Sequence, residues 1–339
     1  MAKVLVTGAT GCIGSNLVRM LAEKGDKINT LNLPGSWHPF LEGIDAKHSF
    51  GDIRDREAVM SAMSGCEQVY QVAGVVSYHR RDRDDVYSTH VDGVRNVLDV
   101  ARDFGVERVV VTASTAGIGI TRDPNVPLTE ESEFDFSFYG LVPYMHSKNM
   151  TIEMVRFMNK QRTDVVCVSP TTAYGAGDTS MHIGKLVKRI KQGRARFIPR
   201  GGNSFVDVED IARGHILAME KGKGGENYIL ASGCMTYREL YNGIAKALGV
   251  RLKTSDALSW FFSKDIVLGL AKSGLGFLEG FFARRDKRLT LPSFALEFSS
   301  KFRYFDSSKA RNVLGWAPKV GFEDSIRRAI RFYEGQGLI

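Results

Sequence analysis

The sequence predicts an α/β protein: a doubly wound parallel sheet with a smaller, interwoven lobe toward the C-terminus. Three observations carry this. The chain opens on a strand-like run, Lys3-Val4-Leu5-Val6-Thr7, followed by the glycine-spaced turn Gly8-Ala9-Thr10-Gly11-Cys12-Ile13-Gly14 and a helix opening at Ser15. Strand-like and helix-period segments then alternate up to Thr112, which demands right-handed crossovers and a sheet covered on both faces. From about Tyr174 the alternation loosens. At 339 residues, with 43% hydrophobic and 25% charged, the chain is long enough for one large domain or two moderate ones.

The opening turn is a dinucleotide cradle of Rossmann type. Glycines let the backbone approach a pyrophosphate, and the free N–H groups and positive dipole end of the helix receive its charge. Gly8, Thr10, Gly11, Cys12, Ile13 and Gly14 are therefore candidate coenzyme contacts. Lys27 to Leu33 reads as a second strand, stopped by Pro34-Gly35-Ser36. An acidic residue at its end would favour NAD and an arginine NADP, but Asn32 and Leu33 stand there and satisfy neither rule. Ala46 to Phe50 is strand-like and leads to Gly51-Asp52-Ile53-Arg54-Asp55 and a helix from Arg56 to Met63. Asp52 and Ile53 can hydrogen-bond and pack an adenine, while Asp55 can cap the helix. Gln68 to Gly74 is a buried strand whose small exit residues, Val72-Ala73-Gly74, suggest a flat ligand lying against them. Ser77 to Asp85 reads as an exposed loop, Val86 to Phe104 as a helix and Glu107 to Thr112 as the next strand. In such a sheet the ligand crevice lies at the carboxyl ends of the strands.

That last strand exits through Thr112-Ala113-Ser114, and about thirty residues later Pro143-Tyr144-Met145-His146-Ser147-Lys148 opens a helix. Tyr144 and Lys148 lie one turn apart on one face. A phenol is a poor base at neutral pH, and a nearby ammonium stabilises its phenolate. Tyr144 can then exchange a proton with a carbinol or carbonyl oxygen that Ser114 also hydrogen-bonds, while hydride passes to or from a nicotinamide.

The first strand begins at residue 3 with no charged region or apolar run before it, so a cytoplasmic protein without a leader is expected. The cysteines, Cys12, Cys66, Cys167 and Cys234, have no metal or redox spacing, and the histidines form no ligand pair on a helix face, so no metal site is expected. The net charge of +8 arises from dispersed basic residues with local knots, and no nucleic-acid module appears. A solvated surface accounts for it, or attraction of an anionic cofactor or substrate.

The chain resembles the extended short-chain dehydrogenase/reductase family. The matching stretches are Thr7 to Gly14, Gly51 to Asp55, Val72 to Gly74, Val91 to Leu98, Ser114, Tyr144 to Lys148, Ser169 to Gly175, Phe205 to Ala212, Gly225 to Leu230, Asp306 to Ala310 and Leu314-Gly315-Trp316. They run in order through nearly the whole chain, and the chain looks most like the dihydroflavonol-4-reductase and 3β-hydroxysteroid-dehydrogenase branch. The resemblance implies Tyr144 as acid/base, Lys148 on the nicotinamide ribose and lowering the tyrosine pKa, Ser114 orienting the reacting oxygen, and Pro170 and Thr171 lining the nicotinamide. Thr112, Val72, Ala73 and Gly74 join the coenzyme-facing set. His90 stands where the family usually has an asparagine associated with holding the helix and a proton-relay water; it can replace that group, titrate itself, or be a packed structural histidine. Thr115 and Ala116 stand where the family's dehydratases have an acidic pair, which argues against sugar dehydration.

The expected division is a dinucleotide-binding domain at 1–175, joined by 203–232, and a substrate-binding lobe at 176–202 and 233–339. Within the lobe, 257–283 crowds thirteen large apolar side chains, Trp260, Phe261 and Phe262 among them, and a basic knot follows at 284–288. It can be ordinary core, an apolar pocket wall, or an interfacial membrane helix making membrane-surface contact. The expected activity is an NAD(P)-dependent oxidoreductase interconverting a secondary alcohol and a ketone on a rather apolar small molecule. Its alternatives are a nucleotide-sugar epimerase with tightly held NAD and a non-catalytic dinucleotide sensor. NADP is favoured over NAD by the missing carboxylate and the basic balance, and family resemblance suggests a homodimer through the helices at 86–104 and 144–160.

Overall fold

A computed structural model describes residues 1–121, 123–139, 142–158, 163–255 and 301–339. The apolar stretch at 257–283 and the basic knot after it lie outside the described residues.

Seven strands form one parallel sheet: β1 (Lys3–Thr7), β2 (Lys27–Asn32), β3 (Ala46–Phe50), β4 (Gln68–Gln71), β5 (Arg108–Thr112), β6 (Asp164–Pro170) and β9 (Asn227–Leu230). Their order is β3-β2-β1-β4-β5-β6-β9, so the direction of winding reverses beside β1. Helices α1 (Cys12–Glu23) and α8 (Val208–Lys221) cover one face; α2 (Arg56–Met63), α4 (Val94–Asp103) and α6 (Pro143–Met158) cover the other.

Period-two side-chain alternation sends neighbouring residues into two separate cores. Val110, Val166 and Val168 pack with Leu17, Val18, Ile211 and Trp316, while Val109, Val111 and Val165 pack with Val97, Leu98, Ile152 and Val155. A third core belongs to the smaller lobe, where α7 (Gly184–Lys191), α9 (Tyr237–Leu248) and α10 (Phe322–Gly335) bury Val187, Leu240, Ile244, Ile326 and Ile330.

The smaller sheet gathers around β8 (Gly202–Asp207). Strand β10 (Gly233–Thr236) pairs with it antiparallel, whereas β7 (Thr172–Tyr174) and β11 (Phe302–Arg303) pair with it parallel. Of residues 203–232, β8 thus lies in the smaller sheet, and α8 and β9 return to the large one. Further on, Ala310, Leu314 and Trp316 pack into the core beneath α1 and α8.

Some elements differ from their expected bounds, each for a local reason. Helix α1 starts at Cys12, so the last glycine of the turn already lies in its first coil. Strand β4 stops at Gln71, because the Val72 and Ala73 N–H groups donate to Thr7 Oγ1 (3.1 and 3.2 Å) instead of a neighbouring strand. The expected loop at Ser77–Asp85 contains a 3-10 turn and the start of α3 (Arg83–Tyr87). The expected single helix at 86–104 is α3, a π-helical turn at Ser88–Gly93, and α4.

Candidate active site

Every candidate coenzyme loop opens at the carboxyl edge of the large sheet. At the end of β1, Gly8 has φ +67°, and a Cβ there would lie 2.7 Å from the Ala73 Cα. Only glycine lets the β1 and β4 exits come this close. Helix α1 has no side-chain cap at Gly11, so the N–H groups of its first turn are not met by a side chain. A close-packed glycine turn feeding an uncapped helix N-terminus fits the pyrophosphate of a dinucleotide.

At the adenosine end, Asn32 is 3% exposed. Its Oδ1 accepts from the Thr10 N–H (3.1 Å) and its Nδ2 donates to Thr30 Oγ1 (3.0 Å), so the amide shapes the turn. The Asp52 carboxylate accepts from the Arg54 backbone N–H (2.9 Å) and Nε (3.0 Å), and Arg54 holds it below the usual carboxylate range. Ile53 is buried, with its side chain on Gly93, while its C=O accepts from Asn96 Nδ2 (2.7 Å).

The candidate reacting groups sit further along the same edge. Ser114 caps a short turn at Thr115–Gly117, its Oγ accepting from the Ala116 N–H (3.2 Å). That turn lies directly on α6: a Cβ on Gly117 would sit 2.6 Å from the Asn149 nitrogen, and Asn149 Nδ2 donates to the Gly117 C=O (3.1 Å). The contact brings the Ser114 hydroxyl beside the Tyr144 phenol. Tyr144 is 7% exposed, with the Tyr78 ring 5.1 Å away and the His90 ring at 5.7 Å, both edge-on.

Burial pushes the Tyr144 phenol above its ordinary value, and Tyr78 adds to the rise; the Ser114 hydrogen bond and the Arg303 charge oppose it. One turn along α6, Lys148 donates through Nζ to the Thr112 C=O (3.0 Å), and burial brings its pKa down to about 8. The Thr112 hydroxyl donates to His215 Nε2 (2.7 Å), while His215 Nδ1 donates to the Ile211 C=O (2.9 Å).

Pro170 and Thr171 close the end of β6, where the Thr171 N–H and hydroxyl both donate to the Leu230 C=O (3.1 and 3.3 Å). The structure thus brings Ser114, Tyr144 and Lys148 to one place between the coenzyme loops and the smaller lobe. Tyr78, Ser147 and Arg303 were not singled out from sequence. Only Ser147 had a local signal, standing three residues after Tyr144 on the same helix.

Residues 4–231 match the NAD dependent epimerase/dehydratase family, and the chain belongs to it. Within that class the chain is 30% identical to the sterol demethylase protein B of Methylococcus capsulatus, over 99% of both chains. It is 26% identical to a putative dihydroflavonol 4-reductase of Synechocystis sp., over 98% of this chain and 95% of the relative. The UDP-glucose 4-epimerase of Thermotoga maritima shares the fold, with TM-score 0.77 and 19% identity over 98% of this chain and 99% of that one. Relatives named as reductases and dehydrogenases make the chain an NAD(P)-dependent oxidoreductase of this superfamily.

Proposed function

We propose that the protein interconverts a secondary alcohol and a ketone on a rather apolar small molecule. The observation that carries this reading is that Ser114, Tyr144 and Lys148 meet at the carboxyl edge that also holds the dinucleotide turn. A nicotinamide coenzyme, when bound, supplies or accepts the hydride. Ser114 and Tyr144 would share the substrate oxygen, with Tyr144 exchanging the proton and Ser114 fixing its direction. Lys148, held near the coenzyme ribose by the Thr112 carbonyl, favours the phenolate when the proton leaves Tyr144.

The Tyr78 ring, edge-on to Tyr144 at 5.1 Å, supports an apolar substrate. The names of two relatives, sterol demethylase protein B and 3-beta-hydroxysteroid dehydrogenase, point to the same substrate chemistry.

For the coenzyme, the turn after β2 carries no Lys or Arg from Leu33 to Trp37, and Asn32 is committed to Thr10 and Thr30. This supports NAD, against the lean to NADP drawn from the missing carboxylate and the basic balance. Purified protein mixed with NADH or NADPH and hydrophobic ketones should consume coenzyme absorbance; conversion of UDP-sugars without that loss would favour the epimerase reading instead. Tyr144→Phe should abolish turnover while retaining coenzyme affinity within about threefold, since the lost interaction acts in the transition state.

A further inference from the structure

His90 holds together parts of the site that are distant in sequence. It lies in the π-helical turn Ser88–Gly93 and is fully buried. The Val75 N–H, just beyond the β4 exit, donates to its Nε2 (3.1 Å). A nitrogen that accepts from a backbone N–H carries no proton, so the ring is neutral and its hydrogen sits on Nδ1. Nδ1 lies 2.8 Å from Ser147 Oγ and therefore donates to it; Ser147 Oγ in turn donates to the Tyr144 C=O (3.0 Å). The His90 C=O also accepts from Thr151 Oγ1 (3.0 Å), one turn further along α6.

An unbroken relay of donors thus runs Val75 N–H, His90, Ser147, Tyr144 C=O, with every direction fixed by a backbone group at each end. Gly74 lies in the middle: a Cβ there would come within 3.2 Å of His90 Nε2 and 3.5 Å of Lys148 Nζ.

We propose that His90 is a positioning residue, a single-tautomer pin that sets the distance between the coenzyme-side loop at Gly74–Val75 and the catalytic helix at Tyr144–Lys148, and that it carries no proton during turnover. The π-helical turn is the backbone device that makes this reach possible, because its wider coil swings one residue inward and its carbonyls bond to side chains such as Thr151. Both ring nitrogens are committed, so accepting or passing a proton would break one end of the pin. The charged or titratable groups that face the ring are Lys148 and Tyr144 on α6. Burial and the Lys148 charge both oppose the imidazolium, in keeping with a neutral pin. The inference rests on the oxidoreductase reading for its kinetic consequence, but not for its geometry.

The two half-pin variants separate the ends. His90→Asn keeps a donor near Ser147 and loses Val75; His90→Gln keeps an acceptor near Val75 and loses Ser147. Each should lower kcat about tenfold with KM changed less than threefold, the scale of one lost positioning hydrogen bond. Ser147→Ala should match His90→Gln, and the double variant His90→Gln/Ser147→Ala should be no worse than either single one, while His90→Asn/Ser147→Ala should multiply the losses. The pH–rate profile should keep its limbs in all of them. Nitrogen-15 NMR of the histidine rings reads the tautomer without turnover and should show His90 protonated on Nδ1 alone from pH 6 to 8. Kcat within twofold of wild type in both half-pin variants, loss of a limb in His90→Asn, or a proton on Nε2 would each overturn the proposal. A wild-type protein that turns over no ketone strikes the function reading, and the NMR result then still decides the pin.

Discussion

Lys148 shows how burial alone tunes a candidate catalytic group. Its ammonium is nine-tenths buried with the Thr112 carbonyl as acceptor, and its pKa comes down to about 8 from an ordinary 10.5. Below about pH 8 both the folded and unfolded chains hold the proton. Between about 8 and 10.5 the unfolded chain binds one proton more, so this residue's contribution to stability improves as pH rises through that window. Function is expected to run the opposite way, because the ammonium proposed to meet the coenzyme ribose is lost over the same window. NADH affinity, followed by fluorescence, should therefore fall as pH rises through about 8, and Lys148→Met should show weak affinity with no such limb. An unchanged limb in that variant would assign it elsewhere. Tyr144 and Lys148 were legible at this scale because both sit on one helix at fixed spacing. The direction of the phenol's shift was not, because burial and the Tyr78 and Arg303 neighbours come from chain segments far away.

Helices and turns place those residues, and their ends obey local chemistry. Asp55 caps α2 by accepting from the Glu57 and Ala58 N–H groups (2.9 and 3.3 Å), as the sequence allowed. Asp55→Ala should cost about 1 kcal/mol in urea unfolding, the usual worth of a side-chain cap, with no change in coenzyme affinity. The turn at Thr115–Gly117 is more demanding, because it is pressed against the α6 backbone. Gly117→Ala should push Ser114 away from Tyr144 and lower kcat about a hundredfold, the cost of misplacing a reacting group by about 1 Å, with NADH binding within about threefold. Equal loss of binding would show that the coenzyme edge had moved as well. At this scale strands β1 and β3 and helix α2 have the bounds their apolar periods and caps predict. The π-helical turn has no such signal: Ser88 to Gly93 keeps helical composition, and its extra width is set by what His90 and Thr151 bond across the interior.

The whole molecule joins two sheets that exchange segments. Strand β7 leaves the large sheet two residues after β6 and joins β8, and the chain end returns to bury Trp316 beneath α8, where its Nε1 donates to the Asp210 C=O (2.9 Å). Segments of the two sheets therefore alternate along the chain. The outer face of α4 and α6 carries an apolar depression of about 460 Å³ lined by Met150, Met154, Phe157 and Met158, with Phe157 76% exposed. The homodimer that family resemblance suggests through 86–104 and 144–160 would cover this face. Sedimentation should give a dimer that Phe157→Glu converts to a monomer; a wild-type monomer would reject the assembly. Among the described residues no helix is long and apolar enough to cross a membrane.

The sequence by itself determined what depends on neighbours along the chain: the glycine turn, the strand and helix periods, the Tyr144–Lys148 spacing and the family they mark. Backbone sterics and side-chain period are local, so they survive without knowledge of the fold. Only the tertiary structure decided that Asn32 serves the Thr10 turn, that Tyr144 is driven up by burial, and that His90 ties Val75 to Ser147 in one tautomer. Each of these depends on which distant group shares a dry interior, where an unpaired polar atom is costly and every donor must find an acceptor.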